Sequence, residues 1–238
     1  MIDTTTLDLS LGDSKDEAMT HLMQELRTPI TNIKTALKLL ESSALKPAQR
    51  QKYLELIRDE CDRQNSLIVG AVRLLALERI SAQISIEAIY LSEVIPGVVS
   101  IYQPLAEEKG IKIGYAIPDN LPPIFCAEVW LREIAFDLLQ NGIKYTPEGG
   151  EVFVRASVAG EYVQLEFKDT GIGIPTPEIP KIFDRFYRIR NLTDESNNNS
   201  AGLGLTIVRD MLTRCGGSIS VTSELGVGSR FRVLLPTQ

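Results

Sequence analysis

Apolar residues in the first third of the chain recur at helical spacing. Leu26, Ile30, Ile33, Leu37, Leu40 and Ala44 step by 4, 3, 4, 3, 4, and Leu54, Ile57, Cys61, Gln64, Ile68, Ala71 and Leu75 step by 3, 4, 3, 4, 3, 4. This alternation is that of a bundle or coiled-coil seam. From Asp13 to about Arg79 the only glycine is Gly70, and Ser42-Ser43-Ala44-Leu45-Lys46-Pro47 interrupts the pattern once, so a helical hairpin is predicted. Two helices with one apolar stripe each do not enclose a core. Two hairpins joined as a four-helix bundle shield both stripes, which predicts a homodimer; packing of the hairpin on the rest of its own chain is the alternative.

After Ala82 the period changes. Ser85 to Tyr90, Ile111 to Ala116, Val152 to Val158, Tyr162 to Lys168, Ser218 to Ser223 and Arg230 to Leu235 read as strands. Helices are predicted over Leu91 to Lys109, Glu128 to Lys144 and Leu203 to Arg214, the last stopped by Cys215-Gly216-Gly217. The fold class is therefore α+β: a helical hairpin over residues 14–81, then an α/β sandwich over 82–238. Asn191 to Ala201 has no apolar anchor between Leu192 and Ala201 and reads as a mobile stretch.

Composition narrows the function classes. At 44% hydrophobic and 24% charged over 238 residues, the chain buries at least one ordinary core. The 31 acidic residues against 25 Lys and Arg leave a charge of −6, which argues against nucleic acid as a partner. Cys61, Cys126 and Cys215 are far apart and in no CxxC pairing, so neither a disulfide framework nor a zinc site is indicated, and a reducing, cytoplasmic setting fits. No stretch approaches the roughly 20 apolar residues of a membrane span. Met1 to Asp13 lacks the pattern of a signal peptide.

Three segments carry candidate chemistry. Asp169-Thr170-Gly171-Ile172-Gly173-Ile174-Pro175 leaves a strand and turns on two glycines, which lets backbone approach a flat ligand while one carboxylate points into a pocket. Alone, it is equally a tight turn with a capping Asp. Ala201-Gly202-Leu203-Gly204-Leu205 places two glycines at a helix start, where free N–H groups hold phosphate or merely punctuate a loop. Asp137-Leu138-Leu139-Gln140-Asn141-Gly142-Ile143-Lys144-Tyr145 offers an amide oxygen suited to Mg²⁺ and a counter-charge one turn away. Between the glycine segments stands Ile182-Phe183-Asp184-Arg185-Phe186-Tyr187-Arg188.

In this order the segments resemble the transmitter region of sensor histidine kinases, over about Lys15 to Leu235. No GxxxxGK[ST] is present, so the chain does not resemble a P-loop protein. The resemblance implies a Bergerat-type ATP-binding domain with a flexible lid near 184–203, a dimeric phosphoacceptor hairpin, ATP and Mg²⁺ as ligands, and a response-regulator receiver domain as partner. It implies Asp169 as acceptor for the adenine amino group, Asn141 as Mg²⁺ ligand, Lys144 on phosphate and Tyr145 beside the base. Gly171 and Gly173 shape the adenine turn, Arg185 lies in the F-x-R-F-Y stretch, and Gly202, Leu203 and Gly204 close on the phosphates. Where the family more often has Asn, Asp137 supplies a carboxylate that also suits Mg²⁺ but adds negative charge near the triphosphate.

The family's phosphoacceptor His precedes E-L-R-T-P; here Gln24 holds that place, in Gln24-Glu25-Leu26-Arg27-Thr28-Pro29. An amide nitrogen is a poor nucleophile, whereas a neutral imidazole has an available lone pair. His21, the only histidine, lies one helical turn earlier, about 60° around and about 4.5 Å along the axis. Glu25 is its i+4 neighbour, placed to hold one ring nitrogen protonated. Three readings stand: His21 is a shifted acceptor oriented by Glu25; the hairpin is silent and the protein is a pseudokinase that signals by binding; or Gln24 is a deliberate replacement of His. By resemblance, Thr28 positions water for phosphatase activity; otherwise its hydroxyl bonds back to its own helix. Pro29 is expected to bend that helix. A chaperone- or topoisomerase-like ATPase wants an activating Glu on the Asn-bearing helix, and Glu133 lies two turns from Asn141.

Overall fold

The computed structural model describes the backbone of residues 5–42, 45–80, 85–189 and 201–237, and side chains within 23–42, 45–76, 85–189 and 201–237. All but the last residue of the mobile stretch expected at Asn191 to Ala201, most of the lid, and the side chain of His21 lie outside the described residues. Two compact units divide the chain: Met1–Ala76 with Asp184–Leu203, and Leu77–Phe183 with Gly204–Gln238.

In the first unit the hairpin is α1 (Thr5–Leu40) and α2 (Pro47–Ile80). Pro47 opens α2, where its missing N–H costs nothing. Pro29 sits inside α1, which continues through it as one helix. The helices are tied by polar pairs: Asn32 Nδ2 donates to Glu60 Oε1 at 2.6 Å, and Arg63 Nη2 meets Glu25 Oε2 at 2.9 Å. The enclosed line runs through Pro29 and Ala36 on α1 and Glu60, Leu67 and Gly70 on α2. It is offset from the apolar seam read in the sequence, whose Ile30, Leu37, Leu54, Ile68 and Leu75 are 40–50% exposed. Burial of that stripe requires a surface the single hairpin does not supply.

The second unit is a layered α/β domain. Five strands lie in the order β2 (Lys112–Ala116), β4 (Glu151–Ala159), β5 (Tyr162–Asp169), β7 (Gly228–Pro236) and β6 (Ser218–Glu224). Only β2 and β4 are parallel. β1 (Glu87–Ile89) pairs with β3 (Ile124–Cys126) in a separate ribbon. Helices α3 (Leu91–Glu108), α4 (Glu128–Tyr145) and α5 (Gly204–Arg214) contact the sheet. Period-2 burial decides which face they meet: Val152, Val154, Val163, Leu165, Val233 and Leu235 are enclosed, while Phe153 on the opposite face of β4 is exposed. The glycine stop after α5 is present, with the Gly217 N–H donating to the Leu212 carbonyl at 2.8 Å and Gly216 at φ +72. Two elements escaped the sequence pattern, β3 and a 3-10 turn over Thr176–Lys181. Among the described residues, no helix is long and apolar enough to cross a membrane.

Candidate nucleotide site and phosphoacceptor helix

The nucleotide motifs of the second unit meet at the C-terminal half of α4. β5 ends at Asp169, which pairs in register with Val152 of β4. Asp169 is buried, and its Oδ1 accepts from the Gly171 N–H at 2.9 Å and the Ser229 N–H at 3.1 Å. Among the described residues Oδ2 has no donor. Burial pushes the carboxyl pKa up, and the two backbone N–H bonds pull against that rise. The group is thus fixed through one oxygen, and the other keeps its acceptor capacity.

Glycine is required where this turn is clamped. A side-chain carbon at Gly171 would stand 2.5 Å from the Tyr145 carbonyl oxygen, and Ile172 N–H donates to the same oxygen at 3.1 Å. Gly173, at φ +72, abuts the Glu224 carbonyl. Ser223 Oγ accepts from Ile174 N–H at 2.8 Å, bracing the turn on β6. Gly142 lets α4 approach, since a β-carbon there would stand 3.1 Å from Val152 Cγ1 and 3.9 Å from Asp169 Cβ. Asn141, the neighbouring residue, is half-buried.

Asp137 and Asn141 are one turn apart on α4 and share a face. Asp137 is buried, and the start of α5 lies beside it: a β-carbon at Gly204 would be 3.8 Å from the carboxylate carbon. Lys144 Nζ lies 5.3 Å from the Tyr145 ring centroid, a cation–π distance. The last carbonyls of α4 are capped by Lys109, whose Nζ donates to Ile143 O at 2.7 Å and Lys144 O at 2.8 Å; burial lowers its pKa. Lys109, Ser223 and Ser229 carry no motif that marks them in the sequence, because their work is done through contacts made across the fold.

Arg185, Gly202 and Leu203 fall in the first unit. Gly202, at φ +68, accepts at its carbonyl from Phe186 N–H at 2.9 Å, and Leu203 is buried against Gly70 of α2. On α1, Gln24 is exposed, and Thr28 Oγ1 donates back to the Gln24 carbonyl at 3.3 Å. The Glu25 carboxylate is engaged by Arg63.

Residues 126–238 match the family described as histidine kinase-, DNA gyrase B-, and HSP90-like ATPase, and residues 14–83 match the His Kinase A (phospho-acceptor) domain. The chain is a histidine kinase transmitter region. Drug sensory protein A of Synechocystis sp. is 30% identical over 238 residues, 95% of this chain and 35% of that protein. Adaptive-response sensory kinase SasA of the same organism is 30% identical over 231 residues, covering 93% of this chain and 59% of the relative. The transmitter region thus spans about a third to three fifths of the length of these curated relatives. Full-length ShkA in complex with AMPPNP shares 29% identity at a TM-score of 0.63 over 93% of this chain and 45% of that one. ThkA in complex with the response regulator protein TrrA shares the fold, with a TM-score of 0.68, 20% identity, and coverage of 93% and 61%. The family matched by residues 126–238 carries the Bergerat-type ATP fold expected from the motifs, and ATP binding is its shared property.

Proposed function

We propose that this transmitter region takes the γ-phosphoryl group of ATP onto His21 and passes it to a receiver-domain aspartate of a response regulator, in the cytoplasm and as a homodimer. The observation that carries the nucleotide half is Asp169: a buried carboxylate held through Oδ1 by two backbone N–H groups, with Oδ2 left for a donor. Adenine presents such a donor in its exocyclic amine; guanine presents a carbonyl at that position and leaves two acceptors facing each other. Tyr145 lies beside the base, and Gly171 and Gly173 keep the turn close enough for contact. Lys144 balances phosphate charge, and Gly202, Leu203 and Gly204 close on the phosphates with Arg185 nearby in the chain.

The α4 face suits Mg²⁺ carried by the nucleotide. Asp137 and Asn141 offer one carboxylate and one amide oxygen, and among the described residues no group of three or more His, Cys, Asp or Glu could hold a metal alone. A hard cation bound this way completes its shell with water and phosphate oxygens and neutralises charge developing on the phosphates. The domain boundaries proposed are 14–81 for the hairpin and 82–238 for the ATP-binding domain.

On α1, a neutral His21 imidazole attacks the γ-phosphorus as the bond to ADP breaks. Glu25 orients the ring, which requires it to share its carboxylate between His21 and Arg63. Thr28, one turn past Gln24, positions water for removal of phosphate from the partner. Incubation with γ-labelled ATP tests the reading. An acid-labile, base-stable label that disappears in His21→Ala is expected; label appearing only in Gln24→His, or none in either protein, sinks it.

A further inference from the structure

At the far end of α4 from Asn141, two thiols touch. Cys126 ends β3 and stands just before α4, while Cys215 follows the last residue of α5. Their Sγ atoms are 2.8 Å apart although 89 positions separate them in the chain. Cys126 is fully enclosed and Cys215 is 7% exposed. The remaining cysteine, Cys61, is exposed on α2, in the other unit.

The two sulfurs are chemically unequal. The Cys215 thiol pKa is lowered by its hydrogen bond with Cys126 and by the Ala127 N–H, against the effect of burial. That N–H stands at the head of α4, where the helix dipole favours a thiolate. Cys126 is pushed up by its bond to Cys215 and by burial, with the same Ala127 N–H pulling against the rise. Cys215 is also the sulfur with residual access to solvent, so it is the one a small oxidant meets first.

We propose that Cys126 and Cys215 form a reversible disulfide in response to hydrogen peroxide, a covalent tie between the head of α4 and the tail of α5. The Cys215 thiolate attacks one peroxide oxygen and the O–O bond breaks; the departing hydroxide takes up the proton that Cys215 had shed, giving water and a sulfenic acid. The Cys126 sulfur then attacks the Cys215 sulfur. The S–S bond forms, the S–O bond breaks, and hydroxide leaves with the Cys126 proton as a second water. Two thiols lose two electrons in total and one hydrogen peroxide molecule gains them. A dithiol reductant reverses the step.

The tie joins the two helices that frame the phosphate side of the nucleotide site. α4 carries Asp137 and Asn141, and α5 begins at Gly204 beside Asp137. The closed loop contains Lys144, Asp169 and both glycine motifs. The sulfur chemistry itself stands whether or not His21 is phosphorylated.

The test uses the folded chain, treated with hydrogen peroxide and then denatured in an excess of alkylating reagent. Intact mass is expected to show one alkylated cysteine and the loss of two hydrogens, against three alkylated cysteines in the untreated protein. Proteolysis without reductant is expected to yield a Cys126–Cys215 linked peptide that dithiothreitol separates. Three alkylated cysteines after peroxide, a cross-link through Cys61, or added oxygen without the linked peptide overturns the proposal. In Cys126→Ser, dimedone is expected to trap a sulfenic acid at Cys215; in Cys215→Ser, dimedone labelling of Cys126 would overturn the order of attack. The wild-type peptide map decides the cross-link even if a serine variant fails to fold.

Discussion

The hairpin and the ATP-binding domain solve the problem of burial differently. In the domain, Ile95, Leu131, Ile134, Leu165, Ile207 and Val233 are all at 0–2% exposure, and the core closes within one chain. On the hairpin, Met23, Leu37, Ile68, Val72 and Leu75 stay 49–64% exposed, while the enclosed line contains Glu60 and a glycine. A complete core makes a site from backbone groups fixed at many points, as at Asp169. The open helical surface leaves its apolar stripe unenclosed, which is where the proposed second copy would pack. Gln24, where the resemblance expects a histidine, is exposed on α1, so packing does not fix which side chain stands there.

The largest test of that contrast is Leu37→Asp with Ile68→Asp. A charge at each of two seam positions is expected to convert the proposed dimer to monomer in sedimentation, with ATP affinity held within about twofold because the domain's core is its own. Persistence of the dimer would place the seam elsewhere. Next is Asp169→Asn, expected to weaken ATP binding by on the order of 100-fold in calorimetry, the scale of a buried polar mismatch. Binding within threefold of wild type would remove Asp169 from the site.

The same substitution carries a pH signature. Burial raises the Asp169 pKa in the folded state, so the folded protein holds that proton more tightly than the unfolded chain does. Its contribution favours folding below the ordinary carboxylate range and is lost as pH rises through the raised value. At pH 7 the ionised group weighs against folding. Asp169→Asn is therefore expected to melt higher than wild type at pH 7, with the gap narrowing toward pH 4 in thermal scans. An equal gap at both pH values would contradict the assigned cause.

Smaller effects separate the two glycines inside domain helices. Gly142→Ala sets a methyl 3.1 Å from Val152 Cγ1 and is expected to destabilise by about 1–2 kcal/mol in urea titrations. Gly97→Ala meets nothing within 4 Å and is expected to stabilise by up to about 1 kcal/mol through helix propensity. Last comes Arg63→Ala on the hairpin. Its pair with Glu25 is partly exposed, so a loss of about 1 kcal/mol or less, shrinking with added salt, is expected.

Most elements were legible because their signals are local. Alternation marked β4, β5 and β7 to within a residue or two of their observed ends, and Gly216-Gly217 marked the end of α5. β3 was not legible: three residues after Pro122-Pro123 are too short to show a period. In the site, Asp169, Gly171 and Gly173 stood out by motif. Ser229 did not, since it acts through a backbone N–H that any residue but proline provides. Lys109 did not either, because its value lies in reaching the end of a helix 34 residues away. The hairpin shows the opposite fault: its stripe was read correctly as apolar, yet the line enclosed within the chain is a different one.

The amino-acid order by itself determined the periods, the turn chemistry and the glycine and carboxylate motifs, all of which arise from neighbours within a few residues. Only the tertiary structure decided that β7 lies between β5 and β6, which brings Ser229 to Asp169 across 60 positions, and that Cys126 meets Cys215. Such pairings depend on which distant surfaces close together most favourably, and many chain orders satisfy the same local pattern.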